Sequence, residues 1–364
     1  MSSISVNTIT DASGGSTTSI NGFTPSVSNM AGRNRIINGD MRIDQRNAGA
    51  SVTPTANPTY LVDRWFFGLQ QASKMSFQQS STAPAGFNNS LLATSLSAYT
   101  PLSSDYHYLG QRVEGYNVAD LGWGTADAKT ITLSFWVRSS VTGTLSGSLS
   151  NSGATRSYPF TYTISSANTW EQKFVTIAGD TAGTWDKTNG RGIVISFSLG
   201  SGSTYLGTAD AWAGAYYTGA TGSIQPIATS GATFYITGVQ LEEGSVATPF
   251  CPAGGGSYGA ELALCQRYYW QVSGVSGSTT GCTIDGLYSS GSGAGIFYSF
   301  MHPVTMRTAP TATVNYNDLT NASSVVVTTS IYGANVSANG GTTSSGRTGF
   351  TFNSTGFVKM SAEL

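Results

Sequence analysis

The feature that most constrains this chain is a strict alternation of apolar and polar residues in short runs. In the run 131–138 the odd-numbered residues are apolar and the even-numbered residues are Thr, Ser, Trp and Arg. Successive side chains of a strand point to opposite faces, so this pattern predicts a strand with one buried face. Similar runs lie at 60–67, 74–79, 108–114, 158–164, 170–177, 192–199 and 233–241. Many short strands with no helix between them favour a sandwich or jelly roll over a βαβ fold.

Four segments follow from the pattern, and together they predict an all-β protein. Residues 1–33 form a Gly/Ser/Thr-rich arm, read either as an anchor or as a frayed terminus. Residues 34–250 form a large jelly-roll β-sandwich domain. Residues 251–275 are a linker with one short helix, expected from Tyr258 to Trp270 with Cys265 on its packed face. Residues 276–364 form a smaller C-terminal β-sandwich with strands at 296–301, 311–316, 325–331, 348–352 and 356–362, separated by segments such as 335–346.

Composition excludes several functions. Charged residues make up only 10% of the chain and the net charge is −1, so no cationic cluster is available for nucleic acid. No apolar run is long enough to cross a membrane, and no signal segment opens the chain, which predicts folding in a cytosol. Cys251, Cys265 and Cys282 are too few and too dispersed for zinc or a disulfide framework, so buried thiols are expected.

Catalytic patterns are missing, so the sequence predicts no catalytic residue, no cofactor and no enzyme. His107 and His302 fall in different predicted domains, which argues against an oriented base. Glu242 and Glu243 are adjacent on a predicted strand and would point to opposite faces, so they cannot flank one sugar bond. The other carboxylates are scattered along the chain. Two of them could still meet in the folded structure, and the sequence does not decide this.

Aromatic residues in loops are the candidates for glycan binding, because sugars stack their C–H faces on such rings. The set lies in Gly/Ala/Thr-rich connections and comprises Trp185, Trp212, Tyr216 and Tyr217. Packing between subunits is the alternative. Trp65, Trp136 and Trp170 lie in strand runs and are expected in the core. For Trp123, the sequence does not decide between the core and a binding loop. Because the surface has few charges, the affinity for a glycan is expected to depend only weakly on salt. Changing Trp212 and Tyr216 together to Ala is expected to reduce adsorption to host cells with little effect on thermal unfolding.

Three segments and the last residues resemble one group of proteins. Asn34-Arg35-Ile36-Ile37-Asn38-Gly39-Asp40-Met41 with Asp63-Arg64-Trp65 is similar to the opening of domains in many tailed-phage fibre and receptor-binding proteins. The segments 234–244 and 247–250 are similar to their closing strand, and 261–269 to the helix that follows. The final Ala362-Glu363-Leu364 matches their usual end. A more distant similarity is to carbohydrate-binding jelly rolls of the galactose-binding-like type.

The resemblance implies a non-enzymatic virion protein, a tail fibre or adhesin subunit that binds host surface polysaccharide. It implies a homotrimer, assembled in the host cytoplasm and joined to tail, baseplate or capsid proteins through the arm. It also implies a structural calcium held by Asn38, Asp40 and Glu242, unless these are plain turn and surface residues. A capsid-attached head fibre or decoration protein is the first alternative, and a polysaccharide-degrading tailspike is the second.

Overall fold

The computed structural model describes residues 32–273, 283–288, 296–315, 318–320, 324–339, 346–351 and 357–364. The predicted arm 1–33 therefore lies almost wholly outside the described residues. The chain divides into two compact units. The first comprises the described residues up to Arg42, then Gly49–Leu61 and Trp65–Glu261, and the second comprises Ile43–Ala48, Val62–Arg64 and the described residues from Leu262 onward.

Two antiparallel sheets make up most of the first unit. The six-stranded sheet has the spatial order β1 (Thr59–Tyr60), β2 (Trp65–Leu69), β5 (Tyr106–Glu114), β10 (Arg191–Ser201), β7 (Gly143–Ser150), β8 (Ser157–Ile164). The five-stranded sheet has the order β3 (Met75–Ser80), β4 (Ser90–Ser95), β13 (Thr233–Glu243), β6 (Ile131–Ser139), β9 (Glu171–Ile177). Successive strands move back and forth between the two sheets, as they do in a jelly roll.

Aromatic side chains join the two sheets face to face. The ring centroids of Phe135 on β6 and Phe197 on β10 are 4.9 Å apart, and those of Phe67 on β2 and Phe77 on β3 are 4.5 Å apart. The alternation in the run 131–138 is confirmed, because its four apolar residues are fully buried on the inner face of β6. The first unit is thus a β-sandwich, and the all-β prediction is confirmed.

Short elements connect the strands of the first unit. They are the 3-10 turns Gly115–Asn117, Ala119–Leu121, Ser203–Tyr205 and Pro226–Ala228, and the parallel pair β11 (Leu206–Gly207) and β12 (Gly219–Ala220). The segment around β12 lies over the outer face of the six-stranded sheet. Ser146 on β7 donates its hydroxyl to Ser223 at 2.8 Å, so part of that outer face is covered by the protein's own chain.

The helix α1 (Tyr258–Gln266) carries the chain into the second unit. The helix was predicted to reach Trp270, but a strand already begins at Tyr269. The described strands of this unit are β14 (Tyr269–Ser273), β15 (Thr283–Tyr288), β16 (Ile296–Met301), β17 (Thr311–Asn315), β18 (Asp318–Thr320), β19 (Ser324–Thr329), β20 (Gly333–Asn339), β21 (Gly346–Thr351) and β22 (Phe357–Ser361).

These strands form three antiparallel sheets of three strands, in the orders β14-β22-β17, β15-β21-β18 and β16-β20-β19. The first and third sheets contribute Trp270, Val336, Val358 and Met360 to a common core, which Met306 joins from the connection between β16 and β17. The prediction that 335–346 separates strands is wrong at its start, because β20 occupies Gly333–Asn339.

Of the cysteines, Cys265 is buried and Cys251 is half-buried, and Cys282 lies outside the described residues. Within the described part of the chain, no helix is long and apolar enough to span a membrane.

An ion network lies inside the second unit. The Glu363 carboxylate accepts hydrogen bonds from Arg46 at 2.7 Å and from Arg64. The guanidinium of Arg64 lies 3.5 Å from the ring centroid of Tyr268. Asp63 is buried beside them and accepts hydrogen bonds from the backbone and side chain of Gln45. Because the charges of Arg64 and Glu363 are out of water, each depends on its partner for stabilisation.

We expect Asp63→Asn to flatten the pH dependence of stability between about pH 4 and pH 7. Burial, opposed by the Gln45 hydrogen bond, raises the pKa of Asp63 from 3.8 to about 7, so the folded chain holds a proton that the unfolded chain releases. The native protein's stability is therefore full below pH 3.8 and falls as the pH rises to the folded value. A difference of about 3 between folded and unfolded pKa corresponds to about 4 kcal/mol.

Urea unfolding of both proteins at steps from about pH 4 to pH 8 measures this difference. Burial also lowers the pKa of His302, but that contribution is present in both proteins and cancels in the comparison. A gap between variant and native protein that stays constant with pH contradicts the assignment.

Candidate functional site

The outer face of the six-stranded sheet carries a strip of aromatic side chains. On β5 the residues Leu109, Gln111 and Val113 turn into the sandwich and are buried. Because neighbouring residues on a strand point to opposite faces, Tyr108 and Arg112 turn outward. We call the following set the tyrosine patch: Tyr60, Phe66, Tyr106, Tyr108, Tyr205 and Tyr216, each in ring contact with another member.

The rings of the tyrosine patch form a continuous chain across several elements. Phe66 on β2 packs edge-on against Tyr108, with centroids 5.8 Å apart. Tyr106 packs at right angles against Tyr205, with centroids 5.1 Å apart. Tyr205 contacts Tyr216, whose hydroxyl donates a hydrogen bond to the Tyr108 oxygen at 3.2 Å. Edge-to-face contacts of this kind fix ring orientation as well as adding packing energy.

Burial separates the patch into a base and a rim. Phe66 and Tyr108 are buried, whereas Tyr60, Tyr106, Tyr205 and Tyr216 keep part of their surface in solvent. Burial raises the pKa of Tyr108 and of Tyr216 above the usual value of a phenol. Both hydroxyls therefore stay protonated near neutral pH. Because the Tyr216 proton is donated to the Tyr108 oxygen, only the Tyr108 proton is left to be donated elsewhere.

Two arginines border the tyrosine patch. The Arg112 guanidinium lies 4.3 Å from the ring centroid of Phe66, and its Nη1 donates to the Tyr60 hydroxyl at 3.2 Å. Arg191, at the start of β10, pairs with Glu114 in the β5–β10 register. Burial and the nearby charge of Arg112 lower the pKa of Arg191. The rim thus offers two cations beside aromatic faces and neutral hydroxyls.

Two of the four aromatic residues singled out from the sequence lie in a separate tryptophan cluster. The indoles of Trp123, Trp185 and Trp212 contact one another edge-on at 4.7 to 5.6 Å. Trp185 is only 8% exposed, although it lies in a loop. Trp212 is half-buried, and its Nε1 donates to the Ala178 carbonyl at 2.8 Å. The geometry makes this cluster a packing unit that ties three loops together.

The other two candidates lie near the outer face of the six-stranded sheet. Tyr216 belongs to the tyrosine patch, and Tyr217 is half-buried with its ring packed on Gly207. A Cβ at Gly207 would lie 2.3 Å from the Tyr217 ring, so the absence of a side chain there allows the close approach. The sequence did not single out Tyr60, Tyr106, Arg112 and Arg191, although Tyr-x-Tyr-x-Gly-x-Arg on alternate positions of β5 marks an unusual outer face.

The residues proposed for calcium have protein partners. Asp40 forms an ion pair with Arg42 Nε at 2.9 Å. The Glu242 carboxylate accepts from the Thr248 amide at 2.8 Å and from its hydroxyl at 2.7 Å. The Asn38 backbone amide donates to Glu261, a buried carboxylate whose pKa is raised by burial. In the part of the chain that the structure describes, no three of His, Cys, Asp and Glu are grouped to hold a metal, and calcium stays a prediction.

Comparison with known proteins gives no family. No protein-family model and no curated protein matches the chain. Several solved structures are similar in part. The enzymatically active domain of bacteriophage CBA120 tailspike protein 4 is 10% identical, with 58% of this chain and 21% of that chain covered and a TM-score of 0.33. The matched part of this chain therefore spans about a fifth of that solved chain.

Two further solved structures have sugar-related descriptions. A putative sugar binding protein from Bacteroides thetaiotaomicron is 14% identical, with 58% and 99% of the two chains covered and a TM-score of 0.35. TmCBM61, solved in complex with beta-1,4-galactotriose, is 11% identical, with 58% and 99% covered and a TM-score of 0.30. At values this low, the fold rests on the strand order of the chain itself, and no ligand is carried over.

We expect Trp212→Ala to lower the free energy of unfolding by about 2–3 kcal/mol, because it removes edge-on ring contacts and leaves a cavity. This differs from the expectation drawn from the sequence, which treated Trp212 as a surface residue. Trp170→Ala is the matched control, since Trp170 is also half-buried but has one ring contact in the described structure, to Tyr235 at 6.1 Å. Equal losses of stability in the two variants, measured by urea unfolding, argue against a packing role for the tryptophan cluster.

Proposed function

We propose that this protein is a non-enzymatic glycan-binding subunit of a phage tail fibre or adhesin, and that the tyrosine patch is its saccharide-contact surface. The observation that carries the proposal is a strip of half-exposed tyrosine rings with fixed orientation on the outer face of a sheet. Such rings offer apolar faces to the C–H surfaces of sugars, and their hydroxyls hydrogen-bond to sugar hydroxyls. Ordered rings also lower the entropy lost on binding.

Binding without hydrolysis is favoured by the contacts of two carboxylates of the first unit. Asp105, next to the patch in sequence, accepts hydrogen bonds from the Tyr99 hydroxyl and from the Leu102 amide at 2.8 Å. Asp180 accepts two hydrogen bonds from Arg156, at 2.6 and 2.8 Å. Both groups are held by loop-stabilising contacts, whereas hydrolysis of a glycosidic bond requires two carboxyl groups facing the sugar.

The virion role rests on the resemblance of the motifs, and the second unit is compatible with it. In this proposal the chain acts as a homotrimer whose residues 1–33 attach to other virion proteins. A capsid-attached fibre would have the same requirements, so the place of attachment is decided by labelling virions. A polysaccharide-degrading tailspike is the remaining alternative, and release of reducing ends tests it.

We expect the double variant Tyr106→Ala/Tyr205→Ala to weaken binding to host surface polysaccharide by roughly tenfold or more, since each lost stacking contact is of the order of 1 kcal/mol. Adsorption of purified protein to host cells and titration calorimetry with the extracted polysaccharide measure the loss. The native protein should release no reducing ends during the same incubation.

The matched control is Tyr235→Ala on the outer face of the other sheet. Tyr235 is also half-buried and packs against Trp170 with centroids 6.1 Å apart, so the change removes a half-buried tyrosine with a ring contact on the other sheet. Normal binding by the patch variant, or an equal loss in the control, would place recognition elsewhere. Turnover by the native protein would establish the tailspike alternative.

A further inference from the structure

We propose that the tyrosine patch selects an anionic saccharide, whose acidic group is held by Arg112 and Arg191. This inference rests on the proposed function and adds the class of ligand. Guanidinium groups hold carboxylate or phosphate oxygens through paired, charge-assisted hydrogen bonds. A uronate and a phosphorylated sugar share this chemistry.

The strand register places both arginines on the same outer face. Arg112 on β5 pairs with Val194 on β10, and both turn away from the sandwich. Arg191 and the buried, inward-facing Ile193 would share a face on a regular strand, but the register shifts between them. The additional residue is Gly192, and a β-bulge of this kind changes the face of the sheet to which the neighbouring side chain points. Arg191 therefore faces outward, opposite Glu114.

Local contacts hold Arg112 in place before any ligand arrives. Its guanidinium stacks over Phe66 and donates to the Tyr60 hydroxyl, so its orientation is fixed by a buried ring and a phenol. A donor that is already ordered loses little entropy on binding. The position of this cation is thus set by the same aromatic residues that would contact the sugar.

The surroundings of Arg191 favour an incoming anion. Its side chain keeps part of its surface in solvent. Glu114 is its partner in the strand register, but none of the salt bridges among the described residues includes Arg191. Its electrostatic neighbours are Arg112 and the phenols of Tyr60, Tyr108 and Tyr216. By contrast, Arg46, Arg64 and Arg156 all have carboxylate partners. Two like charges side by side repel, and an anion between them relieves that repulsion.

An exposed ring lies at the same end of the sheet. Tyr116, 62% exposed, follows β5 in the turn Gly115–Asn117. Its amide donates to the Thr188 carbonyl at 2.8 Å, and the Gly115 amide donates to the Gly190 carbonyl at 2.9 Å. These bonds tie the turn to the residues directly before Arg191. A saccharide whose acidic group reaches Arg191 would therefore have an aromatic residue nearby for stacking.

The inference reverses the expectation of weak salt dependence that sparse charge suggested. Although the chain has 17 Lys and Arg against 18 Asp and Glu, two cations at one site make binding sensitive to ionic strength locally. We expect an oligomer of galacturonic acid to bind more tightly than the same oligomer after reduction of its carboxyl groups. A phosphorylated oligosaccharide of equal length tests whether phosphate serves as well as carboxylate.

Titration calorimetry at low and high salt, with native protein and Arg191→Gln, tests the proposal. The variant is expected to lose roughly tenfold or more in affinity for the acidic oligomer, as the loss of a charge-assisted hydrogen bond predicts, and to bind the reduced oligomer as the native protein does. Arg112→Lys keeps the charge but loses the paired donors, so it should weaken carboxylate binding while leaving the salt dependence. Arg138→Gln, on the other sheet, is the matched control and should change nothing.

The possible results separate the two proposals. Equal affinity for the acidic and the reduced oligomer, or an unchanged acidic affinity in Arg191→Gln with native thermal unfolding, overturns the anionic class but leaves glycan binding intact. Binding of neither oligomer, together with normal host adsorption by the Tyr106→Ala/Tyr205→Ala variant, overturns the site itself. If Arg191→Gln unfolds at a lower temperature than the native protein, the Arg112→Lys variant is the test instead. An affinity of that variant for the acidic oligomer equal to that of the native protein counts against the proposal.

Discussion

The packing of aromatic rings around Phe197 is the interaction on which the sandwich depends most. Phe197 lies on β10 and packs against Trp65, Phe135 and Phe160, with ring centroids 6.4, 4.9 and 6.2 Å away. These three rings come from β2, β6 and β8, so one side chain contacts the other sheet and strands on both sides of β10 in its own sheet. Large aromatic side chains bury much surface each, and their removal from water is the main favourable term in folding. The inward positions of the central strands are buried in this core. What the unit can offer to a partner must therefore come from outward positions and from loops.

Side-chain size on the outward positions decides which part of the six-stranded sheet stays open. Over β7 and the middle of β10 these positions are Ser146, Ser148, Ser196 and Ser198, all small and buried. The chain around β12 can therefore lie directly on the sheet there, and a Cβ at Gly219 would come within 2.6 Å of Ser146 Oγ. Over β1, β2 and β5 the outward positions include large rings and a guanidinium, and the rings of Tyr205 and Tyr216 pack against them from the connecting segments. The side chains that stay partly exposed on this face thus include aromatic and cationic ones.

The sequence predicted the fold class and the inward faces because both depend on local alternation. The run 131–138 needed no long-range information, and its apolar residues are buried as expected. The strand Gly333–Asn339 was missed because small and polar residues interrupt its pattern, although Val336 is fully buried. Trp185 was expected to be available because it follows a Gly-rich stretch, yet indoles distant in sequence bury it. Tyr216 was singled out, but its contact with Tyr108 spans 108 positions. Gly192 is a local sign of the bulge before Ile193, but the outward turn of Arg191 could be seen only in the structure.

The motifs that carry the resemblance and the residues proposed to bind the ligand are different sets. Arg64 and Glu363 belong to two of the recognisable segments, and in the structure they form an ion pair inside the second unit. Asn34 belongs to the opening segment, and its side chain accepts from the Leu241 amide at 3.1 Å and donates to the Cys251 carbonyl at 3.0 Å, which fixes the closing strand. Buried charges and amides of this kind tolerate few substitutions because an unpartnered group in the interior is costly. A motif made of such residues therefore indicates the architecture of the fold. The tyrosine patch lies largely outside these motifs, and four of its six members keep part of their surface in solvent. Similarity in the motifs can therefore indicate a shared architecture, whereas the choice of saccharide has to be established at the patch itself.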